Sequence, residues 1–195
     1  MNKKMHITIG LMLVAVCLTA CETFNTISPQ AGYLASPEAI RPIQKPPIPA
    51  YYKIAEPIQC VPYAREQSGV QIFGNAHTWW PQAKAKGYEV SKTPEIGTVM
   101  VLSRAGKLNY GHLAVVTNII DDKTIEVTHS NWGDSRETRR VIYNSMNVID
   151  SSRTGDWSRA RFWHYASSSY GSSYAVSGFI HPHMAAQQLS MRDVK

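Results

Sequence analysis

Cysteine is scarce in this chain: three in 195 residues, at positions 17, 21 and 60. Apolar runs are short as well, and none reaches the 18 or so residues of a membrane-spanning helix, which argues against a membrane-embedded protein. Charge is thin, with 17% Asp, Glu, Lys and Arg against roughly 25% in an average soluble protein. The formal net charge of +6 comes from 20 basic and 14 acidic residues, and no long block of one sign occurs. A dedicated nucleic-acid binder shows a denser cationic stripe, so that class is set aside; mild basicity suits any anionic surface or polymer. No internal repeat is present. What remains is substantial: 44% hydrophobic residues, enough for a real core, in a length that fits one ordinary domain with extensions.

The first twenty residues read as an address. Met1-Asn2-Lys3-Lys4 is a short cationic start, followed by an apolar run from Ile7 to Ala20. As a helix that run would extend about 21 Å, short of a hydrocarbon core of about 30 Å, so it reads as a secretory signal. Leu18-Thr19-Ala20-Cys21 resembles the bacterial lipobox, in which the cysteine becomes the acylated first residue. Ordinary cleavage with Cys21 left free is the alternative. Residue 22 is Glu, not the Asp that retains many lipoproteins at the inner membrane, so the resemblance implies an anchor on the periplasmic face of the outer membrane. Acyl chains contribute about 0.8 kcal/mol per buried methylene, and several hold a protein firmly. Losing the leader removes Lys3 and Lys4 and no acid, which takes the charge from +6 to +4.

Residues 21–57 read as a tether. Seven of the eleven prolines fall there, and Ile43-Gln44-Lys45-Pro46-Pro47-Ile48-Pro49 excludes a helix or a central strand. An extended polyproline spacer of this length reaches at most roughly 110 Å. Residues 58–183 have the texture of a domain, and 184–195 read as a tail. Helices are expected over Val61–Ser68 and Ala76–Ala85, closed by Gly69 and Gly87. After them the period shifts toward two. Strands are expected at Thr98–Ser103, Leu113–Ile120, Thr124–His129, Arg140–Tyr143, Ala160–His164 and Val176–Ile180. Helices first and an antiparallel sheet afterwards is an α+β arrangement.

Once the leader and a lipidated Cys21 are set aside, Cys60 is the lone thiol, with no internal disulfide partner. It opens the first expected helix, where unpaired N–H groups and the helix dipole favour a thiolate. An unperturbed thiol is only about 3% ionised at pH 7, so a nucleophile there needs that position, a histidine, or both. The alternative is a buried small hydrophobe. His112 follows Gly111 and opens the run Leu113-Ala114-Val115-Val116, at a strand edge where its imidazole faces a groove. In Thr128-His129-Ser130-Asn131-Trp132-Gly133, His129 and Asn131 lie two apart and are expected on one face, across a hairpin from His112. A nucleophile–base pair needs a third group to fix the base's tautomer; His129 or Asn131 can supply it. The indoles of Trp79 and Trp80 read as core, whereas Trp132 and Tyr110 are candidates for the wall and rim of a substrate groove. His181-Pro182-His183 offers two ligands near a tail and is expected at the surface.

Gln59-Cys60-Val61-Pro62-Tyr63-Ala64-Arg65, Gly74-Asn75-Ala76, Trp79-Trp80, Pro94-Glu95-Ile96-Gly97-Thr98-Val99, Gly111-His112-Leu113-Ala114-Val115-Val116 and Asn131-Trp132-Gly133 resemble, in order and spacing, the CHAP domain, a cysteine, histidine-dependent amidohydrolase/peptidase. The resemblance spans about Gln59 to Gly133. It implies a papain-like fold, with N-terminal helices packed on an antiparallel, partly barrelled sheet, and cleavage of amide bonds in peptidoglycan. By position Cys60 is the nucleophile, His112 the base and Asn131 the family's asparagine. Where many members carry an acid two residues before that asparagine, this chain has His129, which could itself orient His112. Gln59 is a candidate side-chain donor to an oxyanion. The acidic calcium cluster of some members is not apparent ahead of Cys60, so no metal and no other cofactor is expected.

These readings make the chain a lipid-anchored N-acetylmuramoyl-L-alanine amidase or endopeptidase of the bacterial cell envelope. Its partners are then a peptidoglycan stem peptide or glycan–peptide junction, and a membrane through the lipid. A catalytically inactive envelope-binding module would bind sacculi without forming product. A cysteine amidase for a small non-wall amide would have a groove too narrow for a glycan strand.

Overall fold

The computed structural model describes residues 49–106 and 108–184, all within the unit Lys45–Lys195. The expected leader, the expected lipidation site at Cys21, the expected tail from residue 184 on (apart from Met184 itself) and most of the expected tether lie outside the described residues. Among the described residues, no helix is long and apolar enough to cross a membrane.

Eight strands and three helices follow in the order β1 (Tyr51–Lys53), α1 (Cys60–Ser68), α2 (Trp79–Ala85), β2 (Tyr88–Ser91), β3 (Val99–Leu102), β4 (His112–Asp121), β5 (Thr124–Ser130), α3 (Arg136–Arg139), β6 (Val141–Asp150), β7 (Arg159–His164) and β8 (Ser169–Met184). All the strand pairs are antiparallel. β3 pairs with β4, β4 with β5, β5 with β6, β6 with β7, β7 with β8, and β8 returns to β3. Six strands therefore close into a barrel, which removes their free edges; β1 extends it beside β6 and β2 beside β8.

Alternation along β3 shows how the core divides. Met100 and Leu102 join Ala114, Val116, Val127, Met146, Phe162 and Phe179 in one cluster. Val99 and Val101 join Leu113, Val115, Ala64, Trp79 and Ala83 in a second. Both faces of this strand are buried, which is why Val99-Met100-Val101-Leu102 is apolar without interruption. Trp79 is fully buried. The fold is mostly antiparallel β with few helices.

Several elements differ from the sequence-based expectation. Pairing begins inside the stretch read as tether: Tyr51–Lys53 lie against Val141–Tyr143, because the proline run ends at Pro49 and the tyrosines that follow favour a strand. The helix expected over Ala76–Ala85 starts as a 3-10 turn, Ala76–Thr78, before α2. Strand β6 continues past Tyr143 to Asp150 through polar Asn144-Ser145, whose N–H groups both donate to Ala50 O. Strand β8 runs from Ser169 to Met184 although only Val176–Ile180 carries an apolar signal, since β7, β3 and β2 each satisfy part of its backbone. That extension overturns the surface placement of His181. Its side chain is buried, Nδ1 is 3.9 Å from Glu95 Oε2, and Nε2 has no partner among the described residues.

Gly111 shows why the residue before the candidate base has no side chain. Its φ is +71°, and an added Cβ would stand 2.5 Å from Leu102 O and 2.8 Å from His77 N. Neither atom is the end of a flexible side chain. Gly111→Ala is therefore expected to lower the thermal midpoint by roughly 5–10 °C, combining left-handed strain of about 1–2 kcal/mol with the clash. Calorimetry of the variant beside the parent checks this.

Candidate active site

Cys60 is the first residue of α1. Gln59 has extended backbone (φ −64°, ψ 146°) and makes no side-chain cap, so the first N–H groups of the helix stay open toward the sulfur. Pro62 sits within the first turn, where its missing N–H is tolerated. Gly69 ends the helix in the left-handed region, donating its N–H to Arg65 O at 2.8 Å.

Three bonds from β5 and the residue after it fasten this helix start. Ser130 Oγ donates to Ile58 O at 2.9 Å, Asn131 Nδ2 donates to Gln59 Oε1 at 2.7 Å, and the Tyr63 hydroxyl pairs with Thr128 Oγ1 at 2.7 Å. Sequence reasoning missed Thr128, Ser130 and Tyr63. Their signal was present in the polar Thr128–Asn131 run at the end of an apolar strand.

His112 opens β4 and His129 lies near the end of β5. Both are buried, and His112 Nε2 stands 2.9 Å from His129 Nδ1. His129 Nε2 faces Met146 Sδ at 3.2 Å. The expectation that His129 and Asn131 share a face is not met: β5 ends at Ser130 and Asn131 turns to φ +55°. Strand alternation lapses there, and the amide of Asn131 meets Gln59 rather than His112. Its Oδ1 is buried without a partner among the described residues.

Trp132 packs its ring 4.6 Å from that of His112 and 4.9 Å from that of Phe162. It walls the histidine pair as a half-buried group, not as a free stacking platform. Tyr110 is 68% exposed, and its carbonyl accepts from the His77 backbone N–H at 3.0 Å, a position suited to a rim. The cleft of about 330 Å³ bordered by Lys92, Ile119, Asp121, Asp156 and Trp157 contains none of these groups. Among the described residues no set of three or more His, Cys, Asp or Glu could hold a metal.

Burial dominates the electrostatics. It pushes the Cys60 thiol above its ordinary value, although the N–H groups of Leu113, Cys60 and Val61 pull the other way. The helix start thus lowers the thiol as expected but does not prevail. Burial also pushes His112 down to about 3. His129 is held well below its ordinary value by burial and then by His112. Burial thus favours the neutral forms of the Cys60 thiol and of both imidazoles. Below about pH 6.5 both imidazoles take up protons on unfolding, so the fold loses stability as pH falls from there, with the His112 share of that loss continuing down to about 3.

The CHAP domain family model matches residues 51–131. That CHAP-matching segment starts on the first residue of β1, ends on Asn131, and includes Cys60, His112 and His129. The chain is 38% identical over 92 residues to the probable autolysin LDP of Staphylococcus aureus, covering 44% of this chain and 32% of that one. It is 32% identical over 78 residues to the staphylococcal secretory antigen SsaA of the same species, covering 38% and 29%. The chain thus spans about a third of the length of these curated relatives. A crystal structure of an N-acetylmuramoyl-L-alanine amidase from Staphylococcus aureus is similar at 24% identity and a TM-score of 0.33, over 45% of this chain and 30% of that one.

Proposed function

We propose that this chain is a peptidoglycan amide-bond hydrolase, an N-acetylmuramoyl-L-alanine amidase or endopeptidase, with Cys60 as nucleophile and His112 as base. The observation that carries the reading is the contact of His112 Nε2 with His129 Nδ1 at 2.9 Å, in a buried pair next to Leu113, whose N–H pulls the Cys60 thiol downward. With Nε2 so engaged, Nδ1 of His112 is the nitrogen free to serve a thiol. A papain-like arrangement, with α1 and α2 against the sheet, belongs to the same proposal. So does the anchoring of the mature chain through a lipidated Cys21 at the periplasmic face of the outer membrane.

The reaction runs in two halves. His112 Nδ1 takes the thiol proton as sulfur bonds to the amide carbonyl carbon, and the negative charge moves to oxygen. N–H groups at the start of α1 hold that oxyanion, and the Gln59 amide, turned by Asn131, adds a donor. The C–N bond then breaks, and the imidazolium gives its proton to the leaving amine. Water, deprotonated by His112, attacks the thioester; the acid leaves and the thiol returns.

Incubation of purified sacculi with the chain, followed by mass spectrometry of the soluble fraction, tests this. New stem-peptide fragments with free amino or carboxyl ends are expected, and their termini identify the bond. Sacculi that bind the protein and yield no fragment would instead indicate an envelope-binding module. Intact sacculi with hydrolysis of small amides would indicate a non-wall substrate.

A further inference from the structure

We infer that Met146 is a positioning residue whose thioether, through His129, fixes which nitrogen of His112 is bare. This rests on the reading of His112 as the base. A thioether sulfur only accepts hydrogen bonds, and a neutral imidazole carries one N–H and one lone pair. Met146 Sδ lies 3.2 Å from His129 Nε2. His129 is 0% exposed, so water cannot serve that nitrogen, and its ring is enclosed by Tyr143, Trp132 and Phe162 at 5.0–5.6 Å between centroids.

Two arrangements of the pair are conceivable. In the first, His129 carries its proton on Nε2 and donates to the sulfur. Its Nδ1 then accepts from His112 Nε2–H across 2.9 Å, and His112 Nδ1 is left with the lone pair that a base requires. In the second, His129 carries its proton on Nδ1. Two lone pairs then face each other at Nε2 and sulfur, and His112 must hold its proton on Nδ1, where it cannot accept one from a thiol. Only the first satisfies both contacts of the His129 ring. It also survives catalysis, because a His112 imidazolium still donates through Nε2 to the same His129 nitrogen. Burial keeps both rings neutral at rest, so the choice of tautomer, not of charge, is what the sulfur decides.

The test uses the full chain with 15N-labelled histidine. NMR separates protonated from bare ring nitrogens, and the parent is expected to show His112 protonated at Nε2 and bare at Nδ1. Met146→Leu conserves volume and removes the acceptor; it is expected to mix the two tautomers and lower kcat about tenfold with KM unchanged. Met146→Gln, whose carbonyl oxygen can accept from Nε2–H, is expected to restore the single tautomer. A parent with His112 protonated at Nδ1, or a Met146→Leu variant that keeps one unmixed tautomer, overturns the inference. A correct tautomer in a chain that cleaves no amide leaves the inference standing and removes the proposed function instead.

Discussion

Replacing Cys60 with alanine is expected to reduce fragment release from sacculi about 10⁴-fold or more, to a level set by positioning alone, while sacculus binding is retained. Serine at the same position is expected to do little better, because an alkoxide is far harder to generate than a thiolate and a neutral His112 offers limited driving force. Carbamidomethylation adds a pH signature. Since burial lifts the thiol above its ordinary value, the rate of alkylation of Cys60 by iodoacetamide should climb through and beyond about pH 8.5, with no plateau on the acid side. With His112 near 3, its imidazole should stay unprotonated across the neutral range and take up a proton only in strong acid. Undiminished fragment release by the alanine variant would reject the mechanism outright. A fast, pH-independent alkylation down to pH 5 would instead mean a preformed thiolate–imidazolium pair and contradict the neutral forms that burial favours.

The sequence carried more of the barrel's strands than of its site. Strands β3, β4, β5 and β7 were legible because apolar residues continue or alternate through much of each. The ends of β6 and β8 were not, since Asn144-Ser145 and the Ser169–Tyr174 stretch are held by pairing rather than by apolar burial. In the candidate site, Cys60, His112 and His129 could be found from residue type and spacing. The different contacts of His129 and Asn131 could not, because they turn on a left-handed backbone at residue 131 that lies one step beyond the strand and is carried by a residue other than glycine. Met146 escaped notice for a different reason. A methionine on an apolar strand reads as core packing, and only its 3.2 Å approach to a histidine nitrogen separates it from its neighbours.

His129 gives the sharpest discrimination between the two candidate orienters. His129→Leu removes the acceptor of His112 Nε2–H and frees the ring to turn and to take the unproductive tautomer. Loss of the corresponding partner in a serine triad costs about 10⁴ in kcat, and a fall of roughly 10³–10⁴ with little change in KM is expected here. His129→Glu places a carboxylate where many CHAP members carry an acid. It should recover part of kcat and raise the pKa of His112, since an adjacent negative charge favours the imidazolium; the acid limb of the kcat/KM profile then moves to higher pH. Asn131→Ala acts differently, because its amide holds Gln59 at 2.7 Å and does not touch His112. A loss of about 10–10² is expected, and combining it with Gln59→Ala should cost far less than the sum of the two, as residues working as a unit are non-additive. If Asn131→Ala abolished turnover while His129→Leu remained near the parent rate, the asparagine would be the orienter and the buried histidine pair would be packing alone.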